Sequence, residues 1–223
     1  MPRPRIHDLD LLLDAAETLA VESGAGAVTV RRLSELTTVS NGAIYHAFGS
    51  RAGLVGSAWL RAARRFLDVQ NTAIDAVTGQ KPREGAVEAV VAAADAPAKF
   101  LLESPVSGRF LLTVRRGELL GSADIPDSIA DDLRKLDTSI ADLLRQLSDS
   151  MWGRVDQESV RVIRDCVVEL PGALLLRGAR TPDPAVRERL AVAVRAILAL
   201  PLPELSTTPG HTSPWHVNKG HRS

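Results

Sequence analysis

The sequence predicts an all-α fold, and three observations predict it. Apolar residues recur at three-and-four spacing along nearly every readable segment. Helix-start residues stand directly before those runs: Thr29, Ser40, Ser50, Asp156 and Asp183. No segment alternates apolar and polar residues with the period of two that a half-buried strand requires, and no internal repeat is visible.

The elements follow in order. Leu9, Leu12, Leu13, Ala16, Leu19 and Ala20 form a first helical stripe that stops at Gly24 and Gly26. Thr29 opens a short second helix whose apolar face is Val30, Leu33 and Leu36. After a tight turn Ser40 opens a third. Ser50, after Gly49, starts a long fourth helix with Leu54, Trp59, Ala62, Phe66 and Val69 on one side, and Gly53 and Gly56 soften its first turn. It ends in the turn-rich stretch 78–85. An alanine-rich helix then runs over 84–103 with a kink expected at Pro97. Further helices are expected over 105–120 and around 129–152. The last two run over 157–178, interrupted by Pro171 and Gly172, and over 184–199, with Pro184 at the first helical position.

Composition narrows the function classes. No stretch has the ~18–20 uninterrupted apolar residues of a spanning helix, and acidic residues break the N-terminus too early for a signal peptide. A cytoplasmic protein without a membrane partner is expected. One cysteine, Cys166, excludes an internal disulfide and reads as a small buried hydrophobe. The enzyme motifs G-x-S-x-G, Walker A and H-E-x-x-H are missing, and no histidine falls in the middle helices. The reading is therefore not an enzyme, with no cofactor and no metal. The 27 basic residues balance the 27 acidic ones. Nucleic acid would have to be held by specific contacts rather than by bulk charge.

Three short helices followed by a long one, with a tight turn between the second and third, is a helix-turn-helix arrangement. The third helix must bring small or polar residues to the base edges. "SNGAIYHAF" does this with Ser40, Asn41, Gly42 and Ala43, while Ile44 and Phe48, four apart, anchor its other face. Tyr45 and His46 project from neighbouring faces as phosphate donors. The free N–H groups at the start of the fourth helix, by Ser50 and Arg51, offer a second phosphate site.

Over residues 9–54 the chain resembles the TetR family of transcriptional regulators. Val39, Ser40, Gly42, Ile44, Tyr45, Phe48, Ser50, Arg51 and Leu54 stand at the family's spacings. The resemblance implies that Thr29 and Arg31 touch phosphate, that Ser40, Asn41, Gly42 and Ala43 face the bases, and that Tyr45, His46 and Arg51 clamp the backbone of double-stranded DNA. Two departures stand out. Thr37-Thr38 replaces the usual Ala-Gly turn, so any positive φ at Thr38 would be strained, and Ala47 replaces a frequent histidine or tyrosine. With the zero net charge they favour an alternative in which the chain is a helical interaction protein that has lost DNA binding. Arg3 and Arg5 offer either a minor-groove arm or a frayed terminus.

The domain organisation expected is a DNA-binding domain over 1–50, a helical ligand-sensing and dimerisation domain over 51–200, and a disordered tail over 201–223. The resemblance implies a homodimer paired through helices 157–178 and 184–199, and a repressor released from an inverted-repeat operator by an effector. The effector pocket, for a small apolar molecule, is expected among the middle helices. Phe66, Phe100, Phe110 and Trp152 are its candidate walls, unless they simply pack the core, and Arg109 or Arg115 its candidate polar anchors.

Overall fold

The computed structural model describes residues 6–77, 82–176 and 182–202, and every regular element among them is a helix. The arm at Arg3 and Arg5, the tail from 203 onward, the turn at 78–81 and the end of the helix expected to reach 178 lie outside the described residues. The helices are α1 (Ile6–Ser23), α2 (Val30–Thr37), α3 (Asn41–Phe48), α4 (Arg51–Asp75), α5 (Pro82–Glu103), α6 (Pro105–Thr113), α7 (Arg116–Leu120), α8 (Asp127–Trp152), α9 (Gln157–Arg164), α10 (Leu170–Leu174) and α11 (Pro184–Ala199). A π-helical turn, Asp165–Glu169, joins α9 to α10.

The helix starts follow from side-chain capping. Thr29, Ser40, Ser50, Asp156 and Asp183 each accept a hydrogen bond from a first-turn backbone N–H. Each satisfies a donor that the helix itself leaves free.

Two stretches differ from expectation. The helix foreseen over 105–120 breaks at Val114 and Arg115, both extended. The indole N–H of Trp59 donates to the Val114 carbonyl at 3.0 Å, taking the acceptor that a continuous helix would have used. Pro171, by contrast, ends nothing. The Leu170 N–H reaches back five residues to the Asp165 carbonyl. That widened turn lies directly before the proline, where an ordinary α turn would set its ring against the carbonyl of residue 167.

The described residues bury two apolar clusters. One joins α1–α4 to α6, α7 and the first half of α8 through Leu12, Leu33, Ile44, Leu54, Phe110 and Leu133. The other lies between the end of α4, α5, the second half of α8, and α9–α11. α4 runs through both, so its N-terminal turns belong to the helix-turn-helix packing and its C-terminal turns to the larger helical body. Leu36, foreseen on the apolar face of α2, is instead 59% exposed.

An ionic cluster pins these elements together. Glu17 of α1 is 2% exposed, and its carboxylate accepts from Arg61 Nη2 of α4 at 2.6 Å and from the Ser107 hydroxyl of α6 at 2.5 Å. Arg61 also reaches Asp14 at 2.6 Å. Burial alone would lower the Arg61 pKa, but the hydrogen bond and charge of Glu17, with Asp14, outweigh it and raise the pKa. The cation is therefore fixed at the junction of three helices.

Candidate nucleic-acid interface and an apolar cavity

The turn between α2 and α3 is made by Thr38, whose φ of 61° is the one positive value at a non-glycine among the described residues. A β-branched residue is strained there, since its Cβ crowds the following carbonyl. The turn nevertheless forms: Thr38 caps α2 in the left-handed region and Ser40 starts α3 two residues later.

α3 presents a graded surface. Ile44 is 1% exposed and holds the helix to the core, with Phe48 half-buried beside it. Asn41, Gly42, Tyr45, His46 and Ala47 are exposed and Ala43 is half-buried. The Ser40 hydroxyl accepts from the Ala43 N–H at 3.2 Å, and that of Thr29 from the Arg32 N–H at 3.2 Å. Each hydroxyl keeps its own hydrogen to donate outward. Arg31 lies in a fully exposed pair with Glu35, 3.1 Å away, of the kind that contributes little and exchanges readily.

Gly42 is informative because nothing in the chain requires it. A Cβ built there meets no atom within 4 Å, and its φ is not in the left-handed region. A glycine inside a helix costs about 1 kcal/mol relative to alanine. Here that cost has no return within the protein.

Arg51, expected as a phosphate clamp, has an internal task as well. Its guanidinium donates through Nε to the Val28 carbonyl and through Nη2 to the Ala25 carbonyl, tying the start of α4 to the connection between α1 and α2. Nor do Gly53 and Gly56 merely soften α4. A Cβ at Gly53 would collide with the Phe48 carbonyl oxygen and stand 2.9 Å from Pro126 Cγ, and one at Gly56 would stand 2.7 Å from Ile129 Cγ2. They let the start of α8 seat directly on the first turns of α4. The Ser50 hydroxyl completes the joint, accepting from the Gly53 N–H at 2.9 Å and donating to the Asp124 carbonyl at 2.5 Å.

A cavity of about 530 Å³ opens between α4, α5, α8 and the π-turn region, with Phe66, Pro97, Leu144, Val167 and Pro171 in its wall. Of the four candidate wall aromatics, Phe66 borders this cavity and the other three do not. Phe100 is 2% exposed and supports Phe66 edge-on, with ring centroids 5.8 Å apart. Phe110, on α6, is fully buried in the other cluster, and Trp152 packs at the end of α8. Arg109 and Arg115 do not border the cavity; its polar members are Gln70, Asp137 and Arg164. Gln70 was legible in principle. It continues the stripe Trp59, Phe66, Ile74 as a polar residue at an apolar register.

Helices α1–α3, with the exposed face of α3, define a helix-turn-helix domain. Residues 12–58 match the family model of bacterial regulatory proteins of the tetR family. Over most of its length the chain is similar in fold to solved TetR-family regulators. A TetR-like transcriptional regulator from Rhodococcus sp. RHA1 superposes with a TM-score of 0.59 at 16% identity, covering 87% of this chain and 95% of that one. The TetR-family regulator PfmR from Thermus thermophilus gives 0.59 at 20% identity over 84% and 96%. The fatty acid degradation regulator FadR from Bacillus halodurans gives 0.58 at 15% over 83% and 97%. No curated protein matches the sequence. Among the described residues no helix is long and apolar enough to cross a membrane, and no group of His, Cys, Asp or Glu is arranged to hold a metal ion.

Proposed function

We propose that the protein is a homodimeric, sequence-specific repressor that binds an inverted-repeat operator and is released by a small, largely apolar effector. The observation that carries the DNA reading is Gly42. An exposed, contact-free glycine on the outward side of a helix anchored by Ile44 is explained by a surface that approaches from outside, and a major-groove edge requires that clearance. Asn41 and Ala43 beside it discriminate bases, Ser40 and Gly42 allow the approach, and Thr29, Arg31, Tyr45, His46 and Arg51 hold phosphates. Since Arg51 also binds two carbonyls of its own chain, its share in phosphate binding comes with a structural one.

The dimer reading is supported by the last helices. Bidentate pairs Arg187–Asp95 and Arg195–Glu88 fasten α11 to α5. On α10 and α11, Leu174 and Val192 remain 44% and 59% exposed. These belong to the segments 157–178 and 184–199 foreseen as the pairing helices. The cavity supplies the effector site, and α4, shared by both apolar clusters, is the path to the DNA-binding helices.

Selection of bound duplexes from a random pool at near-physiological salt tests the reading. Enrichment of one inverted repeat, bound by two chains, is expected. A folded dimer that enriches no sequence would sink the DNA reading and leave a helical interaction protein.

A further inference from the structure

Pro97 sets a local problem inside α5. It has no N–H to offer the carbonyl of Ala93 one turn earlier, and Ala93 is fully buried. Gln70 of α4 resolves it: its Nε2 donates to the Ala93 carbonyl oxygen at 3.0 Å. Only the NH₂ end of an amide can face a carbonyl, so the bond fixes the sense of the side chain and turns Oε1 away from Ala93.

That oxygen is unused. Gln70 is 4% exposed, yet among the described residues its Oε1 accepts no hydrogen bond. Nor is it one of the two sealed, unpaired side-chain atoms among those residues, Arg61 Nε and Arg154 Nη2. It therefore opens into space, and the space that Gln70 borders is the 530 Å³ cavity, whose wall also holds Pro97.

We propose that Gln70 Oε1 is the specificity-determining anchor of the effector site, and that the effector is an uncharged, largely apolar molecule presenting one hydrogen-bond donor, a phenolic or alcoholic hydroxyl. The inference rests on the reading of this cavity as the effector site. An amide oxygen only accepts, so the ligand donates. The remaining buried wall is apolar, with Phe66, Leu144, Val167 and Pro171 suited to a hydrocarbon or aromatic body. The charged residues at the cavity, Asp137 and Arg164, are exposed and stand at its rim; Asp137 accepts from Arg116, and Arg164 stands 3.8 Å from Glu169. A net charge on the ligand would have no buried partner there. An analogue without the donor would leave Oε1 desolvated and unpaired, which is the situation that discriminates most strongly between near-isosteric ligands.

Calorimetric titration of the full chain with 4-butylphenol and 4-butylanisole tests this, since the two probes share a body and differ in the donor. The phenol is expected to bind about tenfold more tightly or better. Gln70→Leu alone would orphan the Ala93 carbonyl, so it is made together with Pro97→Ala, which returns an N–H to that carbonyl. The double variant is expected to bind the two probes within about threefold of each other and to keep the affinity for the ether. Equal affinities in the parent, or an undiminished preference in the double variant, overturns the assignment of Gln70 while leaving a cavity that binds ligands. Failure of the parent to bind either probe at millimolar concentration overturns the effector-site reading, and this inference with it.

Discussion

Replacing Thr38 with glycine tests whether the turn between α2 and α3 stores strain. Thr38 has φ 61° and ψ 4°, is exposed, and makes no side-chain hydrogen bond among the described residues, so glycine removes little except the Cβ conflict. A left-handed conformation costs an L-residue about 1–2 kcal/mol. Glycine returns about 0.5–1 kcal/mol of that through its larger loss of backbone freedom on folding. The net expectation is a gain of about 0.5–1 kcal/mol, since the relief exceeds the entropy cost at mid-range values. For a chain of this size the gain raises Tm by about 1–4 °C. Scanning calorimetry and urea titration of the full chain measure it. Thr38→Asn should gain less, because asparagine tolerates this region without being free in it. Thr38→Val should stay within about 0.5 kcal/mol of the parent. A glycine variant no more stable than the parent would refute the reasoning, because the turn would then carry no strain to relieve.

Other expectations follow from contacts around α4 and α9. Gly53→Ala should destabilise the chain by at least the ~1–3 kcal/mol typical of overpacking, because its Cβ meets a backbone oxygen, whereas Gly56→Ala should cost less, because the Ile129 side chain can turn aside; urea midpoints give the order, and the reverse order would remove Gly53 from the joint. Arg51→Ala should lower stability by about 1–3 kcal/mol through loss of its bonds to the Ala25 and Val28 carbonyls, even without DNA; unchanged urea unfolding would restrict Arg51 to phosphate contact. For Asp156, the hydrogen bond from Arg154, with the backbone N–H of Ser159, holds the carboxyl at about 2, below its ordinary 3.8. Its contribution is thus complete above about pH 4 and is lost as pH falls towards 2. The urea midpoint of Asp156→Asn should lie below that of the parent at pH 6 and meet it near pH 2; a gap that stays constant over that interval would exclude the charge as its source.

Local chemistry was legible in the sequence wherever it acts over three or four residues. A capping hydroxyl or carboxylate needs only the N–H groups of the turn that follows it. That is why Thr29, Ser40, Ser50, Asp156 and Asp183 could be read as helix starts and are found there. The division of α3 into an anchoring Ile44 and an outward Asn41, Gly42, Tyr45 and His46 was legible for the same reason, because helical period alone separates the faces. The all-α class and the TetR-family likeness of residues 12–58 rest on these short-range patterns.

What depended on distant partners was not legible. Phe66 and Phe110 look alike in sequence, yet one borders the cavity and the other fills the core beneath the DNA-binding helices. Glu17 reads as an ordinary helix carboxylate until Arg61 and Ser107, 44 and 90 residues away in sequence, close on it. Pro171 reads as a helix breaker, and a π-turn before it carries the helix on. By itself the sequence determined which segments are helical, where they start and which side of α3 faces outward, because backbone capping and periodicity are local and strong. The tertiary structure alone decided that Arg51 serves its own chain, that two glycines of α4 are seats for α8, and that Gln70 turns its oxygen into a cavity. Each of these is settled by an atom brought close only when the whole chain packs.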